Sequence, residues 1–303
     1  MLWLLITIVF YFILAIVFLI DKHLLVARIP DPRAYTFYVG TLGIMVLLIS
    51  PFVGFETPSL PQIALALLAG SIYIFALFWF FKGLQLFEAS RVVPAIGGFS
   101  PIFTLGLIYI FSLGKETLAS SDFVSFLLLV SGSVLITLER DKNISLKNLK
   151  LPVLAAFLLS LSFVLSKYVF LNQPFWSGYI WIRIGGFLMA ILFFVSGKKT
   201  RKSIISKKQF LPKKTIGIFL SNQTAGAGAN ILQNWAFALA PLAYVAVINA
   251  LQGIQYAFLL IFTIFLSLKF PKILEEKVSR KALFQKIISI FLIAGGLIIL
   301  TLK

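Results

Sequence analysis

Between Met1 and Ile20 the one residue outside the aliphatic and aromatic types is Thr7, and the run then stops at Asp21-Lys22-His23. Comparable runs recur along the chain, bounded by prolines, glycines and charges, near 2–20, 35–53, 61–81, 91–113, 122–138, 151–171, 177–196, 214–236, 242–268 and 285–301. A crossing of the hydrocarbon core needs about 20 predominantly apolar residues in a helix, so the pattern predicts ten transmembrane helices. Strands of a membrane barrel would alternate with a two-residue period, and runs such as Met1–Ile20 and Phe123–Leu138 are continuously apolar instead. The expected fold class is therefore all-α, integral to the membrane and multi-pass.

Composition agrees. Of 303 residues 60% are hydrophobic, 32 are Phe, and the mean hydropathy is +1.02, which excludes a soluble enzyme and leaves no length for a separate soluble domain. The chain has no Cys and one His, which removes disulfides, thiolate chemistry and multi-His metal sites. No metal and no cofactor is expected. The first segment lacks a basic leading region and a small-residue cleavage site, so it reads as a retained helix and not a signal peptide.

The net charge of +17 takes its meaning from where it falls. Of 27 Lys and Arg residues, 23 lie in the odd-numbered connections; the others are Lys115, Lys303, Lys167 and Arg183. Basic residues resist translocation and are held by anionic lipid, so the odd connections are expected to be cytoplasmic and both chain ends outside. The run Lys198, Lys199, Arg201, Lys202, Lys207, Lys208, Lys213, Lys214 contains no acid between its members. It reads as an anchor on lipid headgroups, with a nucleic-acid patch the weaker alternative; no nucleic-acid partner is expected.

Sliding the chain on itself by 145 residues superposes Leu14 on Leu159, Phe18 on Phe163, Lys22 on Lys167, Gly40 on Gly185 and Leu47 on Leu192. Leu60-Pro61 returns as Leu211-Pro212, and at a shift of 154 Ala89, Leu105, Ile110 and Phe111 meet Ala243, Leu259, Ile264 and Phe265. The order of segments is preserved, which is the signature of duplication. Five helices per copy is odd, so the copies must be inserted upside down relative to one another, as in alternating-access carriers. The division is 1–140 for the first repeat, 141–150 for a cytoplasmic linker and 151–303 for the second.

The stretch Phe81-Lys82-Gly83-Leu84-Gln85-Leu86-Phe87-Glu88-Ala89-Ser90-Arg91, followed by Ser100-Pro101-Ile102-Phe103 and Gly114-Lys115-Glu116, resembles the drug/metabolite transporter superfamily, specifically its EamA-type ten-helix permeases built from two five-helix repeats. The resemblance covers essentially the whole chain. The second half departs from it where Gln255 stands in place of a repeated Pro101 and where Lys269–Glu276 expands a turn. Family members are usually drawn with both ends cytoplasmic, opposite to the charge count, which leaves orientation and transport direction open. The resemblance implies a permease of a bacterial or archaeal plasma membrane.

Polar side chains inside a membrane are default site candidates, because each needs a partner or a cavity. On the eighth segment Gln223, Ala227, Asn230 and Asn234 fall on one helical stripe, with Asn222 and Gln233 near its edges; on the ninth, Asn249, Gln252 and Tyr256 fall on another. They are expected to line a solute cavity, the alternative being hydrogen bonds that hold the bundle together. Lys167 and Arg183 form either an anion-attracting pair at a cavity mouth or two residues snorkelling to headgroups. Trp79, Trp181 and Tyr73 read as interface belts or packing, and Trp235, beside the amide stripe, as a candidate platform. Ala225-Gly226-Ala227-Gly228-Ala229 offers close helix approach or a pliable point, and Gly97-Gly98 with Pro94 and Pro101 a bend in the fourth helix. All ten acids fall at segment ends or connections, so no midplane carboxylate is expected, and a proton-coupled antiporter of cationic drugs is disfavoured.

The expected function is a secondary transporter of a small polar metabolite, such as an amino acid or a sugar- or nucleotide-linked compound, working by alternating access. Its substrate-binding residues are expected among Gln223, Asn230, Asn234, Asn249, Gln252, Tyr256, Trp235, Lys167 and Arg183. A lipid-linked sugar flippase or a non-transporting sensor or scaffold are the alternatives; an enzyme is not expected, for want of a catalytic pair. The partners are the bilayer and the solute, with a homodimer left open.

Overall fold

Asp31 caps the second helix by accepting a hydrogen bond from the Arg33 amide at 2.9 Å, and Pro32 supplies a preset φ in its first turn. This local signal sets the start of that helix in the computed structural model, which describes residues 1–27, 31–86, 89–137, 146–197, 201, 213–269 and 280–302. The elements are α1 (Leu2–Ala27), α2 (Pro32–Gly43), a 3-10 segment (Ile44–Ile49), α3 (Ser50–Val53), α4 (Leu60–Leu86), α5 (Ala89–Phe111), α6 (Ser120–Thr137), α7 (Leu146–Asn172), α8 (Phe175–Ser196), α9 (Lys213–Leu239), α10 (Tyr244–Ala250), α11 (Gln252–Lys269) and α12 (Arg280–Thr301). Among the described residues there is no strand.

Among the described residues six helical stretches are long and apolar enough to cross a membrane: Leu2–Asp21, Pro32–Val53, Leu60–Leu86, Lys150–Asn172, Phe175–Ser196 and Phe284–Thr301. Shorter apolar helices cover Ala95–Phe111, Ser120–Ile136 and Tyr244–Leu259. This composition is that of a multi-pass membrane protein. The amide-rich α9 belongs to neither group, because its Asn, Gln and Gly residues dilute its hydropathy.

Two expected spans are interrupted. The second passes through the 3-10 segment between α2 and α3, and the ninth breaks at Leu251 between α10 and α11. The Ala250 carbonyl at that break accepts a hydrogen bond from Ser133 of α6 at 2.9 Å, so the free backbone group is satisfied by a neighbouring helix. The bend expected in the fourth span is not a break: α5 runs through Pro94 and Pro101 without interruption. Gly97 and Gly98 instead admit neighbours, since a Cβ would come within 2.9 Å of the Tyr256 hydroxyl and 2.6 Å of Val134. The linker at 141–150 lies largely outside the described residues, as do most of the basic run at 198–214 and Glu275 and Glu276.

Helix contacts are stitched by side chains that donate to backbone carbonyls. Tyr11 reaches Ile248 at 2.9 Å, Ser125 reaches Gly296 at 2.7 Å, Ser162 reaches Ala69 at 2.9 Å and Ser71 reaches Gly185 at 3.0 Å. Small hydroxyl residues allow close approach and add about 1 kcal/mol or less per bond in an apolar setting. The main core gathers Phe10 and Tyr11 of α1, Phe126 and Leu129 of α6, Phe237 of α9 and the whole of α10.

Candidate functional site

Where α4, α7, α8 and α9 converge, with α2 on the flank, a narrow cleft is lined by glycines, polar side chains and the apolar Ile74, Phe163 and Ile182. Gly40 and Gly43 come from α2, Gly70 and Tyr73 from α4, Ser162 and Ser166 from α7, Arg183 and Gly186 from α8, and Asn230 and Asn234 from α9. Gly40, Gly70 and Gly186 let the surrounding helices approach closely, since a Cβ on each would meet a neighbouring helix within 3.0 Å.

Arg183 is the charged member. Its guanidinium carbon lies 5.0 Å from the centre of the Tyr179 ring and 5.7 Å from that of Tyr73, both within cation–π range. The Tyr179 hydroxyl donates to Asn230 Oδ1 at 3.1 Å, and Asn230 Nδ2 donates to the Tyr73 hydroxyl at 3.2 Å. Asn234 Nδ2 donates to the Asn230 carbonyl at 2.9 Å and to its Oδ1 at 3.0 Å. The two tyrosines thus hold the guanidinium, and the asparagines hold the tyrosines. No carboxylate pairs with Arg183 among the described residues, so beyond its hydrogen bond to Tyr179 its positive charge remains without a counter-ion there.

Towards the start of α8 the cleft meets a stack of rings. Phe175 lies parallel to Tyr179 at 5.7 Å and tilted on Trp235 at 5.0 Å, and Trp176 stands edge-on to Trp235 at 5.9 Å. Trp235 therefore acts in that stack and not as a platform within the cleft. Trp79 and Trp181 pack against Phe75, Phe78 and Phe55, as aromatic packing residues do.

The expected site residues separate into three groups. Asn230, Asn234 and Arg183 come together in the cleft. Gln223 sits two turns down the same face of α9 from Asn230, with Nε2 3.5 Å from the Tyr35 hydroxyl. Asn249, Gln252 and Tyr256 lie elsewhere: Asn249 donates to Thr104 of α5 at 2.8 Å, Tyr256 is buried against Gly97, and Gln252 opens α11 beyond the break. The ninth-span stripe thus braces α5 and does not face the cleft. Lys167 parts from Arg183 as well. Its Nζ donates to the carbonyls of Ala238 at 3.0 Å and Ala240 at 2.6 Å, and the residue is 2% exposed. A cation there meets the carbonyls that α9 leaves unpaired at its C-terminal end.

Tyr73, weighed as packing, and Tyr179 are the cleft residues that sequence reasoning undervalued. The usable signal was the spacing of Tyr179 and Arg183, four residues apart and so on one face of α8. Asp21 is a second omission. It lies within α1, six residues before its end, and accepts hydrogen bonds from Tyr35 and from Asn222 Nδ2, the latter at 2.7 Å.

No protein-family model and no curated protein matches this chain. Among solved structures 27 chains match. One of them, described as "Crystal structure of protein", aligns over 99% of this chain and 96% of its own with a TM-score of 0.63 and 17% sequence identity. The likeness establishes a shared fold over the full length.

Proposed function

We propose that the protein is a secondary transporter of the EamA type, built from two inverted five-helix repeats, that moves a small polar metabolite carrying an anionic group. The observation that carries this reading is Arg183: a cation held between two aromatic faces, without a carboxylate partner among the described residues, on the wall of a narrow polar cleft. A buried or half-buried charge without a counter-ion is costly, and an anionic solute supplies one. Asn230 and Asn234 offer the remaining polar contacts.

The repeat reading is supported by which helices pack together. Exchange of the halves turns the packing of α1 on α9 into that of α7 on α4, and the packing of α5 on α7 into that of α11 on α1, and all four contacts exist. The exchange is not complete, and one seam shows how the halves differ. α4 and α8 touch backbone to backbone, whereas their counterparts α9 and α2 meet through the side chains of Gln223, Tyr35, Phe219 and Tyr38. Two copies of one unit held in unlike packings are what a carrier sealed on one face requires.

The test is a thermal-stabilisation screen of the detergent-purified protein against amino acids, sugar phosphates, nucleotide sugars and lipid-linked sugars, followed by flux of any hit into proteoliposomes. The expected result is stabilisation by an anionic solute that is lost in Arg183→Gln, with saturable flux. Stabilisation by lipid-linked but not free sugars moves the reading to a flippase, and binding without flux to a sensor.

A further inference from the structure

A second polar cluster lies outside the cleft, where α1, α2 and α9 meet. Asp21 is its only acid. Tyr35 donates its hydroxyl to Asp21 Oδ1, and Asn222 Nδ2 donates to the same oxygen at 2.7 Å. Among the described residues Oδ2 receives no hydrogen bond, and it is not one of their sealed polar atoms. Asn222 is 2% exposed, yet its Oδ1 has no partner. Two oxygens that want positive charge are therefore left on side chains joined by one hydrogen bond, and Asn222 Nδ2 also points to the Val17 carbonyl at 3.4 Å. Tyr35, Phe81, Phe219 and Leu24 wall the cluster with apolar surface.

No cation neutralises Asp21 among the described side chains. From α2 the titratable and charged groups are Asp31, Arg33, Tyr35 and Tyr38; from α4 they are Tyr73 and Lys82; near it, α9 offers amides only. Arg33 lies over the Phe78 ring at 5.6 Å and Lys82 over Trp79 at 4.9 Å, and neither forms an ion pair with Asp21. Lys22 and His23 follow Asp21 on α1, with side chains outside those described. A carboxylate walled by apolar side chains with hydrogen bonds on one oxygen only is incompletely compensated.

We propose that Asp21, Tyr35 and Asn222 form a binding site for one monovalent cation, a proton or a sodium ion, separate from the Arg183 cleft. Neutral donors hold Oδ1 in place, and Oδ2 takes the cation, with Asn222 Oδ1 as a further ligand when the cation is sodium. α9 links this site to the cleft. Gln223, next to Asn222, reaches Tyr35, and Asn230 lies about 10 Å further along the same face. Occupancy of one site is thereby positioned to bias the packing that forms the other. This coupling rests on the carrier reading; cation binding does not.

The experiment uses the full chain in phosphatidylcholine nanodiscs without added solute. In one arm the pH is lowered from mildly alkaline to mildly acidic while the infrared carbonyl band of protonated carboxylic acid is followed. In the other, sodium chloride replaces choline chloride at constant ionic strength and alkaline pH while the unfolding midpoint is read. A proton site gives a reversible band in the wild type that Asp21→Asn lacks. A sodium site gives a sodium-dependent rise in midpoint that Asp21→Asn lacks. Tyr35→Phe keeps the acid but removes a donor to it, and is expected to shift half-saturation about tenfold in cation concentration, which serves if Asp21→Asn does not fold. Identical responses of wild type and Asp21→Asn in both arms, or an unshifted Tyr35→Phe where Asp21→Asn does not fold, overturn the proposal. Neither arm needs a transported solute, so failure here is separable from failure of the carrier reading.

Discussion

Gly70 of α4 and Ile182 of α8 are so close that a methyl group built on Gly70 would stand 1.7 Å from the Ile182 carbonyl oxygen. The contact is reciprocal: a Cβ on Gly185 would stand 2.2 Å from the Leu67 carbonyl oxygen. Backbone meets backbone along this seam, and nothing flexible can yield.

Gly70→Ala is therefore expected to force α4 and α8 apart. Overpacking of a close contact costs about 1–3 kcal/mol, and more where the opposing atom is backbone. The unfolding midpoint of the purified protein should fall well below wild type, whereas Gly217→Ala, whose Cβ meets nothing within 4 Å, should leave it unchanged or slightly raised. A wild-type midpoint for Gly70→Ala would show that the seam opens freely.

Arg183→Lys should weaken binding of an anionic solute at least about tenfold, close to the loss in Arg183→Gln, even though charge is kept. The planar guanidinium touches the faces of both Tyr73 and Tyr179, and a compact ammonium on a flexible stem cannot meet both while presenting a fork of donors. Titration of whichever solute stabilises the wild type measures this. Wild-type affinity in Arg183→Lys would reduce the residue to a point charge.

The run from Met1 to Ile20 and its successors made the helical class legible, because a continuous apolar stretch of that length has few other uses. Boundaries shifted outward where polar residues extend a helix past its apolar part, as Asp21 to Ala27 extend α1. The amides were harder to assign. Asn230 and Asn249 look alike in sequence, each on a polar stripe, yet one lines a cleft and the other donates to Thr104. Periodicity tells which residues share a face of one helix, whereas function depends on which helix lies opposite. Asp21 does close the first apolar span as read, but its partners Tyr35 and Asn222, 14 and 201 positions away, were not legible for the same reason.

Lys167→Met should destabilise the protein by about 2 kcal/mol, since two carbonyls at the end of α9 lose a charged donor and Met keeps the apolar volume. Solute affinity should stay within about twofold, because independent sites contribute additively. A loss of affinity without a loss of stability would return Lys167 to the solute site.

Gly226 and Gly228 of α9 were expected to admit a neighbouring helix, but the structure does not use them so. A Cβ on Gly226 would rest in ordinary contact, 3.5 Å from Val17, and one on Gly228 would meet nothing within 4 Å. In a static helix, alanine at both positions should therefore stabilise by up to about 1 kcal/mol each, through lower backbone entropy in the unfolded chain. If α9 bends during alternating access, the same stiffening should slow flux while leaving solute affinity intact. The double variant separates the two: a higher unfolding midpoint with unchanged proteoliposome flux makes the glycines incidental, and a higher midpoint with slower flux makes the segment between Gln223 and Asn230 the moving part of the cleft.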